Sequence, residues 1–500
     1  MTELIDAFVL ISTPSVFFSL IIGVIGGILV GAAPGLSSTI AIGLLIPFTY
    51  GLSKYIAFAL LLGIYCGSMF GGAIPAVLMN LPGTPSSAVT AIDGYPMAQK
   101  GRGGHALTIT VLSATVGGLI SCLFLIFLAP QLAFVAIAFG PPEYFSLSVF
   151  ALVVVFSMTG SSILKGIIAT GIGLLLSTIG IDPIAPASRF TFDSAVLAIG
   201  IPVVPATIAL FCVAEALRLI FLPPRTEGSS VSEQIECNFT MLFEYGRKLW
   251  RTLIPSGLIG TVIGILPGTG AMMAGLMSYG VAKKYSKTQD TFGQGNPEGV
   301  AASQAAESAV TGGALIPMLT LGIPGDTNTL MLLGAMLVLG LVPGPSLFTN
   351  ETTLIYLIFI VMVMAYILIL FIGLRIAPLV AKMTQVDKRY LVPIVLILAI
   401  TGPAVSEGHI YYYWLAIVFG IIGLIFQISG FPVIGMAMGL VLGPIIEENL
   451  RGALMRPEPI PYIFFGRPFS ALFLLLAIFL ILTGLYRNIK NARSYIRKMD

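Results

Sequence analysis

Gly312-Gly313-Ala314-Leu315-Ile316-Pro317-Met318-Leu319-Thr320-Leu321-Gly322-Ile323-Pro324-Gly325-Asp326-Thr327-Asn328-Thr329 is an apolar, helix-like run that breaks at Gly322 to Gly325. Past the break it delivers an aspartate followed by hydroxyl and amide side chains. Backbone that leaves a helix at membrane depth must be buried in protein or line water, and an ionisable residue beside it is a functional-site candidate. The stretch reads as one half of a binding site.

The setting is a membrane. Of 500 residues 57% are hydrophobic and 9% charged, with a mean hydropathy of +1.01. A soluble chain of this length needs far more charge to cover its surface, so the sequence describes a polytopic protein embedded in a lipid bilayer. About twelve apolar runs of roughly 20 residues recur between Phe8 and Tyr486. With 56 Gly and 32 Pro, several of them are expected to be kinked, half-spanning or re-entrant. A formal charge of +3 points to no polyanionic partner, nucleic acid included. Cys66, Cys122, Cys212 and Cys237 are scattered, which predicts neither a disulfide framework nor a metal cluster. The N-terminal segment lacks the basic flank of a signal peptide, so the first apolar run is expected to be retained. Arg487, Lys490, Arg493, Arg497 and Lys498 follow the last run, whereas no Lys or Arg precedes Lys54. This bias predicts an outside N-terminus and a cytoplasmic C-terminus.

The chain divides at its longest polar stretch. Residues 1–222 form a first membrane half, 223–251 a polar linker, 252–486 a second half and 487–500 a basic tail. The punctuation of the first half returns in the second. Pro34-Gly35 reappears as Pro267-Gly268, and Tyr50-Gly-Leu-Ser-Lys54 as Tyr279-Gly-Val-Ala-Lys283. Gly71-Gly-Ala-Ile-Pro75 returns as Gly312-Gly-Ala-Leu-Ile-Pro317, and Leu81-Pro-Gly-Thr84 as Ile323-Pro-Gly-Asp326. The expected fold is an all-α polytopic membrane protein of two pseudo-symmetric, inverted repeats with broken or re-entrant helices.

Paired Gly/Pro-interrupted segments in corresponding positions point to a secondary transporter with its site between the repeats. Each broken helix frees backbone N–H groups at an end that carries partial positive charge, a socket for an anion, while unwound carbonyls suit a cation. The substrate candidates are Pro34, Gly35, Ser37, Ser38, Asn80, Pro82, Gly83, Thr84, Ser86 and Ser87 from the first half. Pro267, Gly268, Thr269, Pro324, Gly325, Thr327 and Asn328 join them from the second. Asp326, Thr329 and Glu307 are assigned to a coupling ion, Na⁺ or H⁺, with no other metal or cofactor. Glu307 shares a helical face with Ser303, Gln304 and Ser308, and reads equally as a ligand or as a helix-end charge. Residues 290–299 read as a solvent-exposed turn, and Glu447, Glu448 and Arg451 as a solvated helix end. An intramembrane enzyme is the competing class, but HExxH, GxSxG and paired-aspartate motifs are all missing from the sequence. A channel is disfavoured because no short filter repeats, and a transporter of another solute working without a binding protein remains a further alternative.

Two stretches carry a family resemblance. One holds Gly-Ala-Ala-Pro34-Gly35-Leu, Asn80-Leu-Pro-Gly-Thr-Pro-Ser-Ser-Ala88 and Asp93-Gly-Tyr-Pro-Met-Ala-Gln-Lys-Gly101; the other runs from Gly312 to Pro345. Together they resemble the large membrane subunit of tripartite tricarboxylate transporters, the TctA family, across roughly residues 10 to 450. The resemblance implies an ion-driven permease in the plasma (inner) membrane of a bacterium or archaeon. It further implies a small four-span membrane subunit and a periplasmic solute-binding protein that delivers a small organic anion such as citrate. It suggests kinship with elevator-type transporters whose re-entrant tips hold substrate and ion. The chain departs from the family pattern at Ser303-Gln-Ala-Ala-Glu307-Ser-Ala309, where the family usually has Pro-Glu-Ala-Ala-Asn-Asn-Ala, and at Asp326, where a Ser or another small residue is common. Two extra acids repel a polycarboxylate unless cations or protons neutralise them.

Overall fold

The computed structural model describes residues 2–33, 35–158, 162–182, 184–185, 187–222, 237–383 and 388–496. The first half begins with α1 (Thr2–Ser12), α2 (Pro14–Ala32), α3 (Ser38–Thr49), α4 (Lys54–Gly71), α5 (Ala73–Met79), α6 (Ala88–Met97) and α7 (Gly103–Ala136). It continues with α8 (Pro141–Met158), α9 (Ile163–Ser177), a two-residue-per-strand hairpin, α10 (Ala195–Ala198), α11 (Val203–Ile208) and α12 (Ala214–Phe221). The second half holds α13 (Phe239–Ile265), α14 (Gly270–Tyr285), α15 (Pro297–Leu321), α16 (Thr327–Val338), α17 (Pro345–Asn350) and α18 (Thr352–Met383). Then come α19 (Lys388–Glu407), α20 (Tyr411–Ile428), α21 (Val433–Leu454), α22 (Ile460–Phe465) and α23 (Pro468–Ile496). Seven helical stretches among the described residues are long and apolar enough to cross a membrane, and shorter apolar helices fill in between. The protein is an all-α polytopic membrane protein. Of the polar stretch 223–251, residues 223–236 lie outside the described residues, and 239–251 form the first turns of α13.

Glycine spacing sets the packing. On α2, a Cβ at Gly23, Gly27 or Gly31 would stand 2.4–2.5 Å from backbone oxygens of α4, and Gly63, Gly67 and Gly71 meet α2 at 2.4–2.8 Å in return. Small residues four apart let two backbones touch, which supplies dispersion contact where lipid offers no hydrophobic drive. In the second half α13 packs on α15 the same way: a Cβ at Gly260 would meet the Ala306 oxygen at 2.2 Å, and at Gly313 the Thr261 oxygen at 2.5 Å.

The breaks match as well. Gly35 and Gly268 both adopt positive φ after α2 and α13. Asn80 and Gly322 both end their helices in the left-handed region, Asn being the next most tolerant residue there after Gly. Leu81 N–H donates to Pro75 O, and Ile323 N–H to Pro317 O, at 3.3 Å each. These contacts pair Gly71 with Gly313 and Gly72 with Ala314. The sequence comparison, which set Gly71-Gly72 against Gly312-Gly313, is therefore one residue out of register. Of the further helices, α8 and α9 pack with α21 and α23, α11 and α12 with α19 and α20, and α3 bridges to α16 and α19.

Candidate functional site

The second break is closed by its own sequence. Asp326 is the N-cap of α16 in a reciprocal capping box: its Oδ1 accepts from Thr329 N–H at 2.7 Å and Thr329 Oγ1–H at 2.8 Å, while Asp326 N–H donates to Thr329 Oγ1 at 2.9 Å. Its other oxygen, Oδ2, accepts from Tyr65 OH on α4 at 2.9 Å and from Asn328 Nδ2 at 3.2 Å. Four donors thus occupy both oxygens of one buried carboxylate. Across from it, Thr39 Oγ1 of α3 donates to Asn328 Oδ1 at 2.8 Å and pairs with the Thr327 hydroxyl at 3.0 Å. The first turns of α3 and α16, one from each half, are stitched together there.

The first break has the same plan in weaker chemistry. Thr84 N–H donates to Ser87 Oγ at 3.3 Å, and Ser87 N–H to Thr84 O at 3.2 Å. Thr84 and Ser87 therefore sit where Asp326 and Thr329 sit, with a hydroxyl replacing the carboxylate. The missing carboxylate arrives from the other half. Glu307, fully buried in the middle of α15, accepts from Ser86 Oγ–H at 2.5 Å and Thr84 Oγ1–H at 3.4 Å, both at Oε1. Its Oε2 has no hydrogen-bond partner among the described residues. That mid-helix position rules out the helix-end reading of Glu307. Neither Glu307 nor Asp326 has an ion-pair partner among the described residues.

The remaining candidates divide by position. Gly83 is pinned: a Cβ there would sit 2.0 Å from the Gly31 oxygen and 2.9 Å from Gly72 Cα, and one on Gly325 would lie 2.7 Å from Ala314 Cα and the Gly264 oxygen. Gly268 N–H donates to Gly325 O at 2.8 Å, tying the two breaks of the second half together. Thr269 spends its hydroxyl on Ile263 O and Leu266 O, at 2.7 and 2.9 Å. Ser37 caps α3 through Ile40 N–H, and Ser38 Oγ–H points at Met69 Sδ, 3.6 Å away. Asn80 and Pro82 are exposed, whereas Pro267 and Pro324 are buried, and Pro34 lies outside the described residues.

Several participants escaped the sequence reading. Tyr65 sits in an apolar run with nothing to mark it but its partner in space. Between Glu307 and the loop before α15, Thr90 Oγ1–H donates to Ser303 Oγ at 3.1 Å and Gln304 Oε1 at 3.4 Å, and Gln304 Nε2–H to Ser308 Oγ at 3.2 Å. Asp93, buried on α6, accepts at Oδ1 from Gly293, Gly295 and Asn296 N–H, each at 2.8 Å, and at Oδ2 from Tyr279 OH at 2.9 Å. The 290–299 turn is therefore only partly exposed, because Phe292 and Asn296 are buried and its backbone is wrapped around this carboxylate. The supposed solvated end of α21 is likewise an ion network. Arg451 Nη1 lies 2.8 Å from Asp182 and its Nη2 2.9 Å from Glu447, which Arg189 reaches at 2.6 Å.

Residues 17–438 match the family described as the tripartite tricarboxylate transporter TctA family. The chain is 35% identical over 475 residues to an uncharacterized 52.8 kDa protein in the TAR-I ttuC' 3' region of Agrobacterium vitis, covering 95% of this chain and 94% of the relative. It is 32% identical over 237 residues to an uncharacterized protein in the TAR-II ttuC' 3' region of the same organism, covering 47% of this chain and 98% of that relative. No solved structure matches. The chain belongs to the TctA family and is a multi-pass membrane subunit of the tripartite tricarboxylate transporter type.

Proposed function

We propose that the chain is the transport subunit of an ion-coupled permease that takes up a di- or tricarboxylate handed over by a periplasmic binding protein, with a small four-span subunit as the third component. It works in the plasma membrane of a bacterium or archaeon, its N-terminus outside and its basic tail in the cytoplasm. In this reading the two halves are inverted repeats and their broken helices are the elevator's tips. Thr327, Asn328, Ser37 and Ser38, at facing helix N-termini, meet the substrate carboxylates, and the Thr84–Ser87 tip closes over them. Asp326 and Glu307, with Thr329 bonded to the first, supply the charge that a coupling ion must answer.

One observation carries the proposal. Two carboxylates are buried among hydroxyl, amide and phenol donors without a cationic partner among the described residues. An unpaired charge in such surroundings costs several kcal/mol, roughly, unless a proton or cation joins it. A structural bundle has no need of that arrangement, whereas an ion-driven carrier does.

The test is uptake of labelled citrate, malate and succinate by proteoliposomes holding the purified subunit with its binding protein and small subunit. Accumulation driven by an imposed Na⁺ or pH gradient is expected. Uptake indifferent to both gradients would show that the coupling claim is wrong, and no uptake of any of the three acids would remove the substrate class.

A further inference from the structure

The two buried carboxylates are not equivalent, and the difference divides their labour. Both Asp326 oxygens are filled, each by two donors drawn from its own turn and from Tyr65. Nothing on that side chain is left to exchange during a transport cycle. Glu307 is half filled. Oε1 takes the Ser86 and Thr84 hydroxyls, and Oε2 is buried without a partner among the described residues.

We infer that Glu307 is the coupling site and that the ion it carries is a proton, bound at Oε2, while Asp326 is a positioning residue for the second tip. This rests on the transport reading above. A proton needs one free oxygen, and Oε2 offers one. A sodium ion needs several lone-pair oxygens converging on a point, and the Ser86 and Thr84 hydroxyls that hold Glu307 both lie on its Oε1 side.

The surrounding titratable groups leave Glu307 in charge. Asp93 and Tyr279 bond each other near the N-terminal end of α15, and Tyr65 bonds Asp326 near its C-terminal end. From α18, Tyr366 faces Ser308 and Thr311, and from α7, Cys122 is buried. The basic residues of α14, Lys283 and Lys284, lie in its last turn.

Coupling then has a mechanical link. Ser86 and Thr84 belong to the first tip and Glu307 to the opposite half, so loading Oε2 changes the charge that the tip hydroxyls grip. The proton passes from water to Oε2 on one side of the membrane and returns to water on the other, with no bond other than O–H made or broken.

The experiment reads the carboxyl directly, without a substrate. Infrared difference spectra of the purified protein, titrated with pH, are expected to show a protonated-carboxyl C=O band that vanishes in Glu307→Gln and is unmoved by Na⁺. Ser86→Ala should move the midpoint of that titration. A band that persists in Glu307→Gln, or that Na⁺ removes at constant pH, would overturn the assignment. In proteoliposomes, Glu307→Gln is expected to lose at least ten-fold of the labelled-citrate accumulation driven by a pH gradient. Loss of gradient drive in Asp326→Asn with Glu307→Gln unaffected would also overturn it. Failure of the wild type to move citrate, malate or succinate would instead count against the transport reading, leaving the infrared result standing.

Discussion

At the scale of single residues, Asp326 shows how a sequence signal can be read correctly for place and incompletely for role. An aspartate after a Pro-Gly break was legible as exceptional, because charge is scarce in this chain. Its use as an N-cap was not read from the sequence, although Thr329 stands at the three-residue spacing of a capping box. Tyr65 was not legible, because a phenol 261 positions away in sequence leaves no local trace. Replacing Asp326 by Ala removes the cap and orphans Tyr65 OH and the Thr329 amide, which should lower stability by roughly 1 to 3 kcal/mol. Replacement by Asn keeps an acceptor for the Thr329 amide and should lower it less. Midpoints of detergent-solubilised unfolding for both variants check this, and equal midpoints would show that the cap is energetically idle.

At the scale of elements, the glycines do what side chains do in soluble cores. Gly83 stands against the Gly31 oxygen and Gly72 Cα, with backbone on both sides. No rotamer change relieves a methyl group added there, so Gly83→Ala should displace the first tip and abolish uptake. Gly334→Ala, whose Cβ would meet only Val204 and Ile46 side chains at 3.5–3.9 Å, should be tolerated; parallel uptake assays and expression levels separate the two. The order of the breaks could be read in the sequence because Gly and Pro mark them, but register slipped by one residue, since three adjacent small residues, Gly312 to Ala314, leave the alignment free to slide. The hairpin after α9 carries a pH prediction. Asp182 is held well below the usual carboxylate range by the backbone N–H groups of Ala185 and Ile184, helped by Arg451. A carboxyl whose folded value is depressed stabilises the fold above its ordinary value of 3.8, and that contribution fades as pH falls through and below it. Protection from hydrogen exchange over residues 180–189, taken relative to the intrinsic exchange rate at each pH, should therefore be high at neutral pH and fall in acid, and in Asp182→Asn it should be low at both.

At the scale of the whole molecule, composition and the recurring apolar runs pointed to an all-α membrane protein, yet they could not show which helices form one body. That depends on contacts between distant parts of the chain: α8 and α9 against α21 and α23, and α3 at the seam between α16 and the segment 203–221. If the paired broken helices slide as a unit against the remaining helices, α3 must move past that segment in every cycle. Gly43 marks the contact, because a Cβ built there would stand 2.7 Å from Cys212 Sγ. That separation is close to what a disulfide requires, so a thiol placed at position 43 can be joined to the native Cys212 with little movement of backbone. In Gly43→Cys, a membrane-permeant oxidant should arrest uptake and a reductant should restore it, while the wild type, whose Cys212 then has no engineered partner, should be unaffected. Full uptake by the cross-linked protein would mean that α3 and Cys212 travel together, and the moving boundary would have to be sought elsewhere in the bundle.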